Sequence, residues 1–363
     1  MKKYIFIENS IENEYRYIFL CGTKFDAKNK LDKRIVLRDF LKKENIFYRP
    51  IILEDNFVFG KNSKKFLVYD DIHMKDLYQV EMLTIYLVDN NIIIHESIST
   101  GAETGLFLSE EQSLTKTCLL LPDEMAVEEN KLGQFLRLAF LRTDPKLKVI
   151  TYFPRLKSNI ISDNVKNWHT FFYNDHIGKN LGNEIKQFIN DGLVLDKIKF
   201  VRSKTKICEG GIHYLIRNSK LEITAMPRII MICIACLFNI EDVQKEIFNS
   251  DGKKLSEYIN VLKQWLQKIL INTVEEKTGK VICGCSIKAE MNVKGVYISN
   301  IIGMSLYLFQ AAGFINIIKK NDYQKSGELS ITRKMVADKD NKKHFFYEKY
   351  SECINTIADT QII

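Results

Sequence analysis

Across the first 150 residues, short runs rich in β-branched and aromatic residues alternate with helical stretches, and this alternation limits the fold more than any other feature of the chain. The runs are Tyr17 to Cys21, Ile46 to Leu53, Ile92 to His95, Thr117 to Leu121 and Val149 to Phe153. Helical windows lie between them at Asp32 to Lys43, Lys75 to Val88, Ala102 to Gln112 and Lys131 to Leu141. In the second window Leu77, Val80, Leu83, Tyr86 and Leu87 recur at helical spacing. Parallel neighbours need right-handed crossovers, so the pattern predicts a doubly wound, five-stranded parallel sheet with helices on both faces. Ligands of such sheets bind beyond the carboxyl ends of the strands, where the strand order reverses. The loops that follow the strands are therefore where function is sought.

Three of these loops stand out. The first strand runs into Cys21-Gly22-Thr23, where a glycine either admits a phosphate or sugar to the backbone or serves a tight turn at positive φ. The second ends in Leu53-Glu54-Asp55, two acids that are either solvated or aimed at a ligand. The third ends in Glu96-Ser97-Ile98-Ser99-Thr100-Gly101-Ala102-Glu103-Thr104-Gly105. Thr100 and Glu103 have the spacing of a capping box, which accounts for part of this string without any function. It leaves Glu96, Ser97 and Ser99 unexplained, and also Gly105, which costs helix stability and suggests close approach by another group. At a helix N-terminus the macrodipole favours the charged form, so Glu103 is expected to stay ionised near neutral pH and to be a ready nucleophile.

Together, Phe19-Leu20-Cys21-Gly22, Glu54-Asp55 before Phe57, Glu81 eight residues before Asp89, and Glu96-Ser97 to Glu103-Thr104-Gly105 resemble nucleoside 2-deoxyribosyltransferase-like proteins. They are more similar still to effector proteins encoded beside retron reverse transcriptases. The resemblance covers roughly residues 15 to 155. It implies a flavodoxin/Rossmann-like sheet followed by a mainly helical C-terminal part with a winged-helix-like unit. It further implies that Glu103 attacks or stabilises an anomeric carbon while a base departs, and that Glu81 helps hold the sugar. Cys21, Gly22, Thr23, Glu54, Asp55, Glu96, Ser97, Ser99 and Thr100 are the expected substrate-binding residues. Two departures bear on substrate: Ile98 and Ser99 stand where the family commonly has Pro and Gly, and Ser97 where transferases often have aspartate.

The chemistry is coherent on its own terms. Cleaving an N-glycosidic bond builds oxocarbenium character at C1′, which calls for a carboxylate below the sugar and a donor near the leaving base. The leading expectation is an N-glycosidase, hydrolysing NAD or a nucleotide as substrate with no cofactor, toxic when active and serving anti-phage defence. The implied partners are a reverse transcriptase and its DNA-RNA product. The alternatives are a nucleotide-binding sensor without catalysis and a nucleic-acid-binding regulator that uses the sheet as scaffold. Related folds often complete their pockets across a subunit interface, so an oligomer is expected.

A chain of 363 residues suggests more than one domain. The expected segments are a catalytic α/β domain at 1–155, a helical domain at 156–250 and a basic winged-helix-like domain at 251–363. Residues 1–150 carry 22 Lys and Arg against 23 Asp and Glu, and residues 151–363 carry 31 against 22. That excess suits nucleic acid phosphates, or reflects a general lysine bias. Leu255, Tyr258, Ile259, Leu262, Trp265, Leu266, Ile269 and Leu270 form a helical core stripe, and Pro227 opens a buried helix through Ile229 to Phe238. Helix, strand, turn and strand are expected from Ser299 to Thr332, with Lys319, Lys320, Lys325, Arg333 and Lys334 forming a basic wing. Cys233 and Cys236 lie in the apolar helix and read as packing rather than as zinc ligands, and no metal is expected. The longest apolar run is too short to cross a bilayer, and Met1 to Glu14 lacks the apolar core of a secretory signal, so a cytoplasmic location is expected.

Overall fold

The computed structural model describes the chain except residues 1, 13, 24–25, 27, 57–71, 73, 75, 97, 109–110, 123–146, 155–169, 192–194, 203–210, 321–322 and 358–363. The chain divides into two compact units, residues 14–56 with 88–194, and residues 1–13 with 57–87 and 195–363. The units interleave along the chain, whereas the segments expected from sequence are consecutive.

The first unit is built on a parallel sheet of β1 (Arg16–Cys21), β2 (Tyr48–Ile51), β3 (Asn90–Ile94), β4 (Thr117–Pro122) and β5 (Lys148–Tyr152) in the order β2-β1-β3-β4-β5. Each of the five runs marked in the sequence overlaps a strand. The continuous burial of the central strands β1, β3 and β4 is what a sheet covered on both faces requires. Pro50 is tolerated because β2 is an edge strand. Among the described residues, the helices of this unit are α1 (Lys33–Glu44), α2 (Leu53–Asn56), α3 (Ile98–Leu108), α4 (Glu111–Leu114) and α5 (Lys179–Asp191). Side chains alternate across the sheet. Ile18, Leu20, Ile92, Ile94, Cys118, Leu120, Ile150 and Tyr152 pack with Leu37 and Leu41 of α1 and Leu181, Ile185 and Ile189 of α5. On the other face, Phe19 meets Phe107 of α3 with ring centroids 6.3 Å apart. Helices thus cover both faces. The strand order reverses between β1 and β3, which places the crevice of such sheets over the carboxyl ends of those strands.

The second unit is organised around the helix Leu255–Thr278, whose stripe Leu255, Tyr258, Ile259, Leu262, Leu266, Ile269 and Leu270 is buried as expected, with Trp265 half-buried at its rim. The helix Pro227–Leu237 is buried nearly throughout, and Ile298–Ala311 supplies a third buried helix. Strands are more numerous here than a mainly helical part implies. Phe200–Arg202, Ile212–Arg217, Lys220–Ala225 and Gly284–Ala289 form one sheet, and Asp251–Lys254, Glu328–Arg333 and Ile315–Lys319 another. These strands are short and mix charged or polar residues with apolar ones, so their alternation reads as polar surface. Lys3–Phe6 pairs antiparallel with Ile354–Ile357. No helix among the described residues is long and apolar enough to cross a membrane.

Helix, strand, turn and strand do follow one another from Ile298 to Arg333, with a short helix Tyr323–Ser326 in the turn. One residue of the basic wing is buried, and two of its four exposed ones are engaged within the fold. Strand Ile315–Lys319 points Ile315, Ile317 and Lys319 inward, leaving Lys319 8% exposed. Lys320 pairs with Asp251 at 2.8 Å, and Arg333 donates to Gln244 at 3.0 Å while covering the Phe345 ring. Lys325 and Lys334 stay exposed.

Candidate active site

Three loops meet the reversal point of the first unit. Gly22 and Thr23 follow β1, Glu54 lies on α2 immediately after β2, and His95 and Glu96 follow β3. Helix α1 approaches the same ends with Lys33 and Arg34 in its first turn, where positive charge opposes the helix macrodipole. Asp32 offsets part of that cost as N-cap, accepting the Arg34 backbone N–H at 2.9 Å. The two cations are also matched to carboxylates at the strand ends. Lys33 Nζ donates to Glu96 Oε1 at 2.5 Å and lies 5.8 Å from the Tyr152 ring centroid and 5.7 Å from that of Phe172. The Tyr152 hydroxyl donates to the same Glu96 oxygen at 3.0 Å. Arg34 Nη1 donates to Glu54 Oε1 at 2.7 Å, and Nη2 donates to the Thr23 carbonyl.

Glu103 is the third carboxylate of the site, and no described residue hydrogen-bonds it. It is half-buried, and burial, reinforced by the charge of Glu54 and opposed by Arg34, lifts its carboxyl from the ordinary range to about 7. The expectation that Glu103 stays ionised through the helix dipole is therefore corrected. Helix α3 starts at Ile98, not Ala102, so Glu103 sits in its second turn, where the dipole has faded and desolvation dominates. The capping-box reading falls for the same reason. Thr100 is inside the helix, its hydroxyl 3.3 Å from His95 Nδ1, and its carbonyl accepts from the Thr104 hydroxyl at 2.6 Å. His95 is 3% exposed, and burial pushes its imidazole below the usual range, with Glu96 opposing.

The structure assigns Gly22 a purpose that neither sequence reading foresaw. Its φ lies outside the left-handed region, so no turn requires glycine here. A Cβ would instead lie 2.9 Å from Arg34 Cδ, so the missing side chain makes room for the arginine stem. Gly105 behaves differently: a Cβ there would meet nothing among the described residues within 4 Å, so no described part of the chain approaches it.

Of the residues expected at the site, Gly22, Thr23, Glu54, Glu96, Thr100 and Glu103 converge on the strand ends of this unit. Cys21 is buried on the face toward α3, its thiol donating to Asn91 Oδ1 at 3.4 Å. Asp55 and Ser99 lie in α2 and α3 with side chains outside the described residues, and Ser97 lies wholly outside them. Glu81 belongs to the helix Leu77–Leu87 of the other unit, where it is half-buried. Asp89 accepts the Tyr17 N–H at 2.7 Å at the amino end of the sheet, opposite to the site. Sequence reasoning missed Lys33, Arg34 and Tyr152. Adjacent cations in a helix's first turn, placed against the dipole, are the signal that marks the first two.

Among the described residues, no group of three or more His, Cys, Asp or Glu is placed to hold a metal ion. Cys233 and Cys236 are fully buried in their helix, and burial raises both thiols.

No curated protein matches the chain. The family model for the STM3845 retron effector protein matches residues 30–317, a span that runs from just before α1 into the second unit's strand Ile315–Lys319. With that span covering most of its 363 residues, the chain belongs to the STM3845 retron effector protein family.

Proposed function

We propose that the chain is an N-glycosidase whose reacting carboxylate is Glu103, acting as the effector of a retron system. Membership of the retron effector family itself points to a role in anti-phage defence. The observation that carries the enzymatic reading is the charge pairing at the strand ends. Glu54 and Glu96 each have a cation within hydrogen-bond distance, and Glu103 is the carboxylate left without one among the described residues. A carboxylate desolvated in this way gains most by meeting the positive charge that develops at an anomeric carbon.

In this reading the sugar lies over the carboxyl ends of β1 and β3, with Glu103 below C1′. As the C1′–N bond breaks, its electron pair leaves with the base, and the ionised Glu103 stabilises or captures the oxocarbenium carbon. Water then adds to C1′, breaking the bond to Glu103 where one has formed; its hydroxyl stays on the sugar and its proton passes to the departed base or to solvent, completing hydrolysis. Glu103 must be deprotonated for either role, so turnover rises with pH through about 7. The nucleoside deoxyribosyltransferase-like character of the sheet unit, NAD or a nucleotide as substrate, and a winged-helix-like unit after Ile298 belong to the same proposal. So does association with a reverse transcriptase and its DNA-RNA product. The test is mass-spectrometric detection of released base: Glu103→Gln should lower the rate by about 100-fold or more while the fold is kept. Equal turnover by wild type and variant refutes the assignment.

A further inference from the structure

We infer that Arg34 is the positioning residue of this site: a single buried guanidinium that fixes Glu54 and the Thr23 carbonyl at the strand ends, and through Glu54 sets the charge that Glu103 faces. The inference rests on the glycosidase reading only for its consequence in catalysis. Its geometry stands apart from that reading.

The Arg34 side chain is 2% exposed, although no intact surface helix needs a buried arginine in its first turn. A guanidinium out of water is tolerated only when its donors are matched. Here Nη1 reaches Glu54 on α2 and Nη2 reaches Thr23 after β1, while Nε makes no hydrogen bond and is offset only by the charge of the N-cap Asp32, 3.5 Å away. One side chain therefore ties together the start of α1 and the loops after two neighbouring strands, β1 and β2. The planar fork can serve two directions at once, which an ammonium on a flexible stem does poorly. Gly22 is the independent sign that the fold is arranged around this residue, because any side chain there would collide with the Arg34 stem.

The charged groups facing Glu103 among the described residues are Glu54 on α2 and Arg34 on α1. Strand β3, which lies against α3, offers only asparagines and isoleucines, and His95 at its end is engaged with Thr100. Releasing Glu54 from its guanidinium strengthens the negative charge near Glu103, and losing Arg34 removes the one cation that acts on it among the described residues. Both changes move Glu103 in the same direction, toward the protonated form.

The experiment is a carbon-13 NMR titration of glutamate carboxyls in the full chain, with the Glu103 signal assigned by its loss in Glu103→Gln. Arg34→Met should raise the Glu103 midpoint by about one pH unit or more, and Arg34→Lys by less. Gly22→Ala, which displaces Arg34 without removing its charge, should shift it the same way. In a Glu54→Gln background the Arg34→Met shift should shrink, since the carboxylate through which Arg34 acts is gone. Unmoved midpoints in folded Arg34→Met and Gly22→Ala overturn the inference, as does an undiminished shift in the Glu54→Gln background. If Arg34→Met does not fold, Gly22→Ala decides alone. The titration needs no turnover: a shift in a chain that releases no base would sink the glycosidase reading alone. Glu103-dependent base release with no shift would sink the Arg34 inference alone.

Discussion

Replacing Glu103 by glutamine should make the protein more stable, and only above a defined pH. In the folded chain the carboxyl titrates near 7, against 4.5 for an unburied glutamate. A raised carboxyl favours the folded state below about pH 4.5, where both states are protonated alike, and loses that contribution as pH rises through about 7. At about 1.4 kcal/mol per pH unit, such a shift corresponds to roughly 3 kcal/mol at full ionisation, reduced to about 2 kcal/mol by the remaining solvent contact. Glutamine keeps the shape and has no charge to desolvate. Wild type and Glu103→Gln should therefore melt together at pH 4.5. At pH 8.5 the variant should melt about 4–8 °C higher in the transition that reports on the sheet unit. The assay is differential scanning calorimetry across that pH range. A melting difference that does not change between pH 4.5 and 8.5 refutes the claim that Glu103 is held out of water beside Glu54.

Further expectations follow from the same contacts. Tyr152→Phe removes the hydroxyl donor to Glu96 and should cost about 1 kcal/mol in urea denaturation, with a larger loss in Lys33→Met, which strips Glu96 of its cation. Base release by the wild type should climb with pH to a plateau above about 7, and the inflection should be absent from the residual rate of Glu103→Gln. Iodoacetamide should label exposed Cys283 in the native protein and spare Cys118, Cys233 and Cys236 until the chain unfolds.

The sheet was legible because burial on both faces leaves an unmistakable run of apolar residues: each of the five marked runs overlaps an observed strand, and α1 begins within one residue of its expected start. The beginning of α3 was not legible. Ser99, Thr100 and Gly101 have weak helix propensity and read as a loop, but they are helical in the fold, where Thr100 and Thr104 are buried. That four-residue error carried Glu103 from the middle of a helix to its N-terminus and reversed the conclusion about its charge. The Arg34–Glu54 pair was invisible for a different reason: its members are separated by twenty residues, and nothing in local pattern pairs them. The helix window Lys131 to Leu141 falls outside the described residues. In the second unit, Lys320, Lys325, Arg333 and Lys334 are exposed as a basic wing requires, and Lys319 is not, because sequence alone does not say which face of Ile315–Lys319 is covered.

The most direct measurement incubates a metabolite mixture with the protein, alone and together with the products of its neighbouring genes, and follows free bases by mass spectrometry. The account predicts that a base appears with the wild type, and that its appearance falls about 100-fold or more with Glu103→Gln. Release of the same base at the same rate by both proteins, or its absence under every combination, would contradict it.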